Sequence, residues 1–476
     1  MSIALCQMLL LLVACFNTVQ AQPPSTSVFN AADDDWDWSR TRTWALVGQN
    51  DYLTNEQANF LATHYDIIGL GGPFGYGDPS SKPGLPANED ELGEAAAARQ
   101  LKDINPDVKI IVYRNSQLYI GEAFACGKTF EAHPEWTLKN ATGGPVGSYM
   151  DLTQKACANW FINCTMSAFT DFVNGSNIDG LYLDGGDQDG GQTGHTLAPG
   201  MASKLNASHS AVLKELTARV HAIRSEGLTI GNGGIMDVCN RAAPGSAGNG
   251  STVREMGCAT NLDALDGVCG EHFGAFGSVN TTTGDYDGAN MEHGWNRAIE
   301  TVQRHPGKTK KILVKAWPGP LGMYFKKNAT TGRYLPGPVI EITWKKYSNG
   351  THEPWDASMN PMTPLEKRQN AAIALDWALA AYLLTAAPGT YFSYAWWYQM
   401  DTGYIPCSYL VKDGKPDNNC GCPDDWYPAL LRPTGKPLAP RRLEGGGSGF
   451  VYTREFEQVS VRVDLGNFSD VALAWK

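Results

Sequence analysis

The chain of 476 residues predicts an α/β protein, a (β/α)8 TIM barrel that carries a small C-terminal antiparallel β element. Three observations carry that expectation. Eight short apolar runs alternate with helical patterns over residues 43–398, and such alternation builds a parallel sheet whose eighth repeat closes on the first. The runs are continuous, as in VKIIVYRN (108–115), which is the pattern of strands covered on both faces. An open doubly wound sheet would carry a glycine-rich phosphate loop after its first strand, and that place reads VGQNDYLT.

The elements follow in order. TWALVGQ (43–49) is the first strand, and Thr54 caps a helix to His64. YDIIGLGG (65–72) is the second strand, followed by the loop GGPFGYGDPSSKPG and an alanine-rich helix from Glu89 to Leu101. Residues 108–115 form the third strand. The loop 116–149 is long and aromatic, with Tyr119, Phe124, Phe130 and Trp136; structured loops of that length usually serve function. Helix 153–173 leads to NIDGLYLDGG (177–186), and helix 207–225 leads to LTIGNGG (228–234). Helix 252–261 leads to ALDGVCGEHF (264–273), and helix 291–304 to KKILVKAWPG (310–319). An insertion of about 45 residues precedes helix 364–386 and the last strand, TYFSYAWWY (390–398). Residues 428–476 change character: GFVYTREFEQVSVRVDLGN alternates apolar and polar residues, the mark of a small antiparallel sheet. The domains expected are a signal peptide (1–21), an extended lead-in (22–42), the barrel (43–427) and the β-rich extension (428–476).

Composition narrows function. Hydrophobic residues at 42% and charged residues at 18% supply a large core, and a formal charge of -11 is the wrong sign for neutralising phosphates, so no nucleic-acid partner is expected. The apolar run from Met8 to Phe16, followed by Val19 and Ala21, has the form of a secretory signal, and no membrane span is expected. Of eleven cysteines, Cys6 and Cys15 lie in that segment. The remaining nine suit an oxidising compartment, with local bridges expected between Cys239 and Cys258 and within Cys407, Cys420 and Cys422, and with Cys269 reduced on its strand. Nine N-x-S/T sequons, at Asn140, Asn163, Asn174, Asn206, Asn249, Asn280, Asn328, Asn349 and Asn467, agree with a secreted glycoprotein.

Chemistry in a barrel sits at the C-terminal ends of its strands. Two strands repeat the phrase x-D-G-x-x-x-[D/E]: IDGLYLD ends on Asp184 and LDGVCGE ends on Glu271, while Asp179 and Asp266 lie at the opposite, structural end. A carboxylate pair flanking a ligand can divide the roles of acid and nucleophile, or of acid and base. Glu271 follows Val268 and Cys269 on a buried strand, so its pKa is expected to be raised, with Asp184 ionising more readily. Tyr113, Arg114, Asn115, Asn232, His272, Lys315, Trp317, Trp396, Trp397 and Tyr398 also cluster at strand ends, as stacking faces and hydrogen-bonding groups for sugar rings. Asp187 and Asp189 lack the ligand spacing of a calcium loop and read as a solvated turn. No metal or cofactor is expected.

The segments IDGLYLDGG, LDGVCGEHFG and GFVYTREFEQVSVRVDL resemble the hypothetical glycosyl hydrolase fifteen-like family, a group of TIM-barrel enzymes, over most of residues 40–476. The resemblance implies a glycoside hydrolase fold and a carbohydrate substrate. The pattern is similar to barrel glycosidases with a nucleophilic Asp after strand four and an acid/base carboxylate after strand six. On that likeness Asp184 is the nucleophile and Glu271 the acid/base, although Glu stands where Asp is the rule. Two alternatives stay open: a carbohydrate-binding barrel without turnover, and a polysaccharide lyase using a Tyr or His base beside Lys315.

Overall fold

The structure, a computed structural model, describes residues 36–48, 52–71, 89–120, 124, 126–170, 177–186, 195–233, 261–275, 286–305, 310–324, 340–346, 352–356, 362–412, 415–416, 420–445 and 449–476. The signal segment, residues 22–35 of the lead-in, helix 252–261 up to residue 260, Asp187, Asp189, Cys239, Cys258 and five sequons (Asn174, Asn249, Asn280, Asn328, Asn349) lie outside the described residues.

Eight parallel strands form the barrel: β1 (Trp44–Val47), β2 (Ile67–Leu70), β3 (Lys109–Asn115), β6 (Gly180–Asp184), β7 (Leu228–Asn232), β8 (Gly267–Ala275), β9 (Lys311–Tyr324) and β12 (Thr390–Tyr394). Strands β4 (Thr137–Lys139) and β5 (Pro145–Met150) form a hairpin in the loop after β3, and β10 (Ile340–Lys346) and β11 (His352–Asp356) extend β9 as antiparallel partners. Parallel bridges Thr43–Phe392 and Gly48–Gln399 return the eighth barrel strand to the first, with Phe392 N donating to Arg42 O at 2.9 Å and Gly48 N to Tyr398 O at 2.8 Å.

The period of two along each strand sorts side chains between barrel interior and helix layer. Trp44, Ile111, Tyr182, Ile230, Cys269 and Leu313 fill the interior, while Leu181, Leu183, Val112 and Val268 pack outward into the larger core. Trp44, Tyr182 and Tyr113 form a stacked column with successive centroids 6.0 Å apart. The early aspartates staple the barrel floor. Asp179 accepts from Ile110 N (2.8 Å) and pairs with Lys102 (2.8 Å), and Asp266 accepts from Thr229 N (2.9 Å) and contacts His221 Nε2 (3.0 Å).

The helices follow their signals with two instructive departures. Thr54 and Thr363 close capping boxes with Gln57 and Glu366 at the starts of Asn55–His64 and Pro364–Leu383. The helix expected from residue 207 begins at Met201, because its first turn gains a tertiary contact: Leu205 buries against Leu138 and Val146 of the β4–β5 hairpin. Strand β9 runs past residue 319 and folds the insertion into an antiparallel sheet that composition alone did not reveal. At the C-terminus, strands 442–443, 451–455, 459–464 and 471–475 form the expected antiparallel sheet. Arg454 ties it to the barrel by donating to Leu383 O, Leu384 O and Ala386 O (2.9, 3.0 and 2.9 Å), the open carbonyls at the end of the Pro364–Leu383 helix.

Candidate active site

Asp184 ends β6, two residues beyond Tyr182 on the same inward face. Its Oδ2 accepts from the Tyr113 hydroxyl (2.7 Å) and Asn115 Nδ2 (3.0 Å), and its Oδ1 from Asn232 Nδ2 (2.8 Å) and Gly185 N (3.0 Å). The Asn115 amide has one possible orientation, because its Oδ1 accepts from Gln117 N and Leu118 N (3.0 and 2.7 Å). Gly185 sits at φ +67°, the left-handed region that turns its N–H back onto the carboxylate. Ser116 Oγ donates to Asp184 O (2.8 Å) and meets His209 Nε2 at 2.9 Å. Burial pulls His209 down to about 4, so its ring is neutral.

Glu271 lies on β8, across β7 from Asp184, within the stretch where the β8–β9 register shifts between Gly270 and Phe273. Its Oε1 accepts from the Tyr398 hydroxyl and its Oε2 from Asn232 Nδ2, with His272 Nε2 3.6 Å from Oε2. Trp317 Nε1 donates to Glu271 O (3.3 Å). Asn232, on the strand between them, therefore gives one amide nitrogen to both carboxylates. Two acceptors that share one amide nitrogen at ~2.9 Å each stand no more than ~6 Å apart, oxygen to oxygen.

The electrostatics reverse one expectation. Burial, and then the charge of Glu271, raise the Asp184 pKa, and the donors from Tyr113, Asn232 and Gly185 only partly offset this. Asp184 is not the readily ionised group that its glycine-rich surroundings suggested, because it is buried and faces the charge of Glu271. His272 is pulled down to about 3, by burial first and by the Lys315 charge second, and so sits neutral beside Glu271, its ring stacked 5.7 Å from Trp317.

The other expected residues divide. Tyr113, Asn115, Asn232, His272, Trp317 and Tyr398 gather round the pair. Trp397 is 40% exposed, edge-on to Trp317 at 5.5 Å and tilted against Tyr398 at 5.3 Å. Arg114 has outward parity: its guanidinium holds Glu94 in a buried bidentate ion pair (2.8 and 2.9 Å), away from the mouth. Trp396 packs over Gly421, where a Cβ would meet the indole at 2.7 Å. Lys315 faces inward but is 0% exposed, its ammonium packed against the rings of Trp317 and Tyr398. Among the described residues no three His, Cys, Asp or Glu side chains gather as a metal site, and no helix is long and apolar enough to cross a membrane.

Ser116, Gln117, His209 and Glu94 escaped the sequence reading. The sole signal was the paired glycine after Asp184, which marks a chain reversal against the carboxylate. Disulfides join Cys126 to Cys164 and Cys407 to Cys420, while Cys157, Cys269 and Cys422 are free and buried. The second bridge falls within the expected C-terminal cluster and Cys269 is reduced, as its place inside a strand requires.

The family described as hypothetical glycosyl hydrolase family 15 matches residues 102–460, about three-quarters of the chain and the span that holds both carboxylates. The chain belongs to this family. No curated protein matches it. Among solved structures it is similar to the galactosidase domain of the α-galactosidase-sucrose kinase AgaSK (13% identity, 40% of this chain and 26% of that one, TM-score 0.27). It is similar also to the α-galactosidase AgaA of Geobacillus stearothermophilus in complex with raffinose (10% identity, 89% and 47%, TM-score 0.40). A third is an Anoxybacillus α-amylase (10% identity, 91% and 88%, TM-score 0.39). The match spans less than half the length of either galactosidase. The family 15 chain has the glycoside hydrolase barrel, and its site rests on its own geometry.

Proposed function

We propose that this family 15 member is a secreted, retaining glycoside hydrolase acting on an extracellular polysaccharide or glycan, with Asp184 as nucleophile and Glu271 as acid/base. The observation that carries the proposal is the shared Asn232 amide, whose one nitrogen donates to both carboxylates and so keeps them close together at the mouth; a close pair favours retention, whose carboxyl groups stand ~5–5.5 Å apart against ~6.5–9.5 Å for inversion.

The division of roles follows from access and donors. Asp184 receives four hydrogen bonds, three of them from N–H groups that can only donate, so its network suits a fixed carboxylate. Glu271 receives two, and its side chain is 23% exposed, leaving an oxygen open to a leaving group or to water. In the first step Asp184 attacks the anomeric carbon while Glu271 gives its proton to the departing glycosidic oxygen, forming a glycosyl ester. In the second, Glu271 takes a proton from water, the water oxygen displaces Asp184, and both carboxyl groups return to their starting states. Trp317, Trp397 and Tyr398 supply faces for sugar rings. Two disulfides and the nine sequons favour an extracellular setting.

The test is product release from algal, plant and fungal polysaccharides by wild type and by Asp184→Asn, with the anomer of the fresh product read by proton NMR. Retained product from wild type and none from the variant is expected. Inverted product, or equal release by both proteins, sinks the assignment.

A further inference from the structure

Lys315 is fully buried, and moving an ammonium out of water costs several kcal/mol unless its surroundings answer it. Its Nζ donates to Ala395 O at 2.9 Å, lies 3.7 Å from the ring centroid of Trp317 and 5.0 Å from that of Tyr398. Each ring in turn holds Glu271: Trp317 through Nε1 to the main-chain oxygen, and Tyr398 through its hydroxyl to Oε1. One ammonium therefore underlies both supports of one carboxylate. We infer that Lys315 is a positioning residue for Glu271 rather than a sugar ligand: it clamps Trp317 and Tyr398 against β8, and its charge strengthens the Tyr398 hydroxyl as a donor to the carboxylate. This rests on reading Glu271 as the acid/base.

The neighbouring titratable groups leave Glu271 as the partner of that charge. From β8 come Cys269, Glu271 and His272; from β6, Tyr182 and Asp184; from the segment after β12, Tyr398 and Tyr404. Burial pushes the Cys269 thiol and the three tyrosines up, so none of them is anionic near neutrality, and His272 is neutral. Asp184 lies across the mouth with its own four donors. Burial, the largest cause, pulls Lys315 down to about 7, and the charge of Glu271 acts in the opposite sense and supports the ammonium form.

The experiment is a carbon-13 NMR titration of the glutamate side-chain carboxyls in substrate-free protein, with Glu271 assigned by its loss in Glu271→Gln. The Glu271 midpoint should rise by about one pH unit in Lys315→Met. On a Tyr398→Phe background, most of that rise should disappear, because the relay is gone. If Lys315→Met does not fold, the reciprocal measurement replaces it: the Lys315 midpoint should fall by about one unit in Glu271→Gln. An unmoved Glu271 midpoint in folded Lys315→Met, or an unmoved lysine in Glu271→Gln, overturns the inference. The titration needs no turnover, so a protein inactive on every glycan would remove the hydrolase reading and leave this result standing, and the converse holds.

Discussion

Replacing Asn232 by Ala removes the one side chain that donates to both carboxylates. A hydrogen bond to a charged group contributes roughly 1.5–3 kcal/mol, so the singly ionised pair loses about one such bond and the doubly ionised pair about two. Each ionisation therefore moves up by roughly 1–2 pH units at 1.36 kcal/mol per unit. Repulsion between two charges ~6 Å apart is about 3 kcal/mol at an effective dielectric of ~20, so without the amide the doubly ionised form is strongly disfavoured. The whole bell-shaped pH profile of kcat/KM should shift about 1–2 units toward alkaline pH. With the spacing no longer held, kcat should fall about 100-fold while KM stays within a few-fold. The assay is the pH–rate profile of wild type and variant on a released-product substrate, with circular dichroism confirming the fold. An unmoved profile, with KM raised tenfold and kcat intact, would refute the reasoning and return Asn232 to the role of a sugar ligand.

Further outcomes follow from the same contacts. Asp184 is held above the ordinary carboxylate range, so activity that needs its carboxylate form is lost as pH falls through that raised value. Tyr113→Phe deletes an opposing donor and should move this acidic limb up by about one more unit in the pH–rate profile, and a downward move contradicts it. Arg114→Met strands Glu94 as a buried charge and should cost about 3–5 kcal/mol in urea unfolding while leaving KM within about twofold, whereas an Arg114 that binds sugar would change KM first. Cys126→Ser opens a bridge between residues 38 apart and should cost about 4 kcal/mol by the chain-entropy relation, read by the same unfolding assay; a loss below about 1 kcal/mol would place the order of the 116–150 segment in its aromatic packing instead.

The barrel was legible because its evidence is local and repeated: each run of apolar residues predicts a strand wherever helices cover both faces. Strand-end position pointed to the site, and within strands the period of two decides which of those residues face it. Asp184 stands two residues after Tyr182, Glu271 two after Cys269 and Asn232 two after Ile230, and all point inward. Arg114 was grouped with its neighbours by its place at a strand end, yet it stands one residue out of phase and meets Glu94 in the helix layer. Lys315 has the right phase but is covered by Trp317 and Tyr398, which residue type and position could not convey. His209 reaches Ser116 across 93 residues of sequence and Glu94 reaches Arg114 across 20, contacts for which a single chain carries no local signal. The antiparallel continuation of β9 was hidden for a related reason: Pro318, Gly319 and Pro320 read as a strand stop, and long-range pairing with β10 from Leu321 to Tyr324, and with β8 at Leu321, extends the strand beyond them.

The most direct test of the central claim is to trap the covalent intermediate. Glu271→Gln protein is mixed with a panel of activated aryl glycosides carrying 2-fluoro substituents, quenched in acid, digested and read by peptide mass spectrometry. Such substrates need no proton on the leaving group, so the first step survives while the second stalls. One glycosyl adduct is expected, on the peptide containing Asp184, and none in Asp184→Asn. An adduct on a different carboxylate, or inverted product from wild type with no adduct on any peptide, would contradict it.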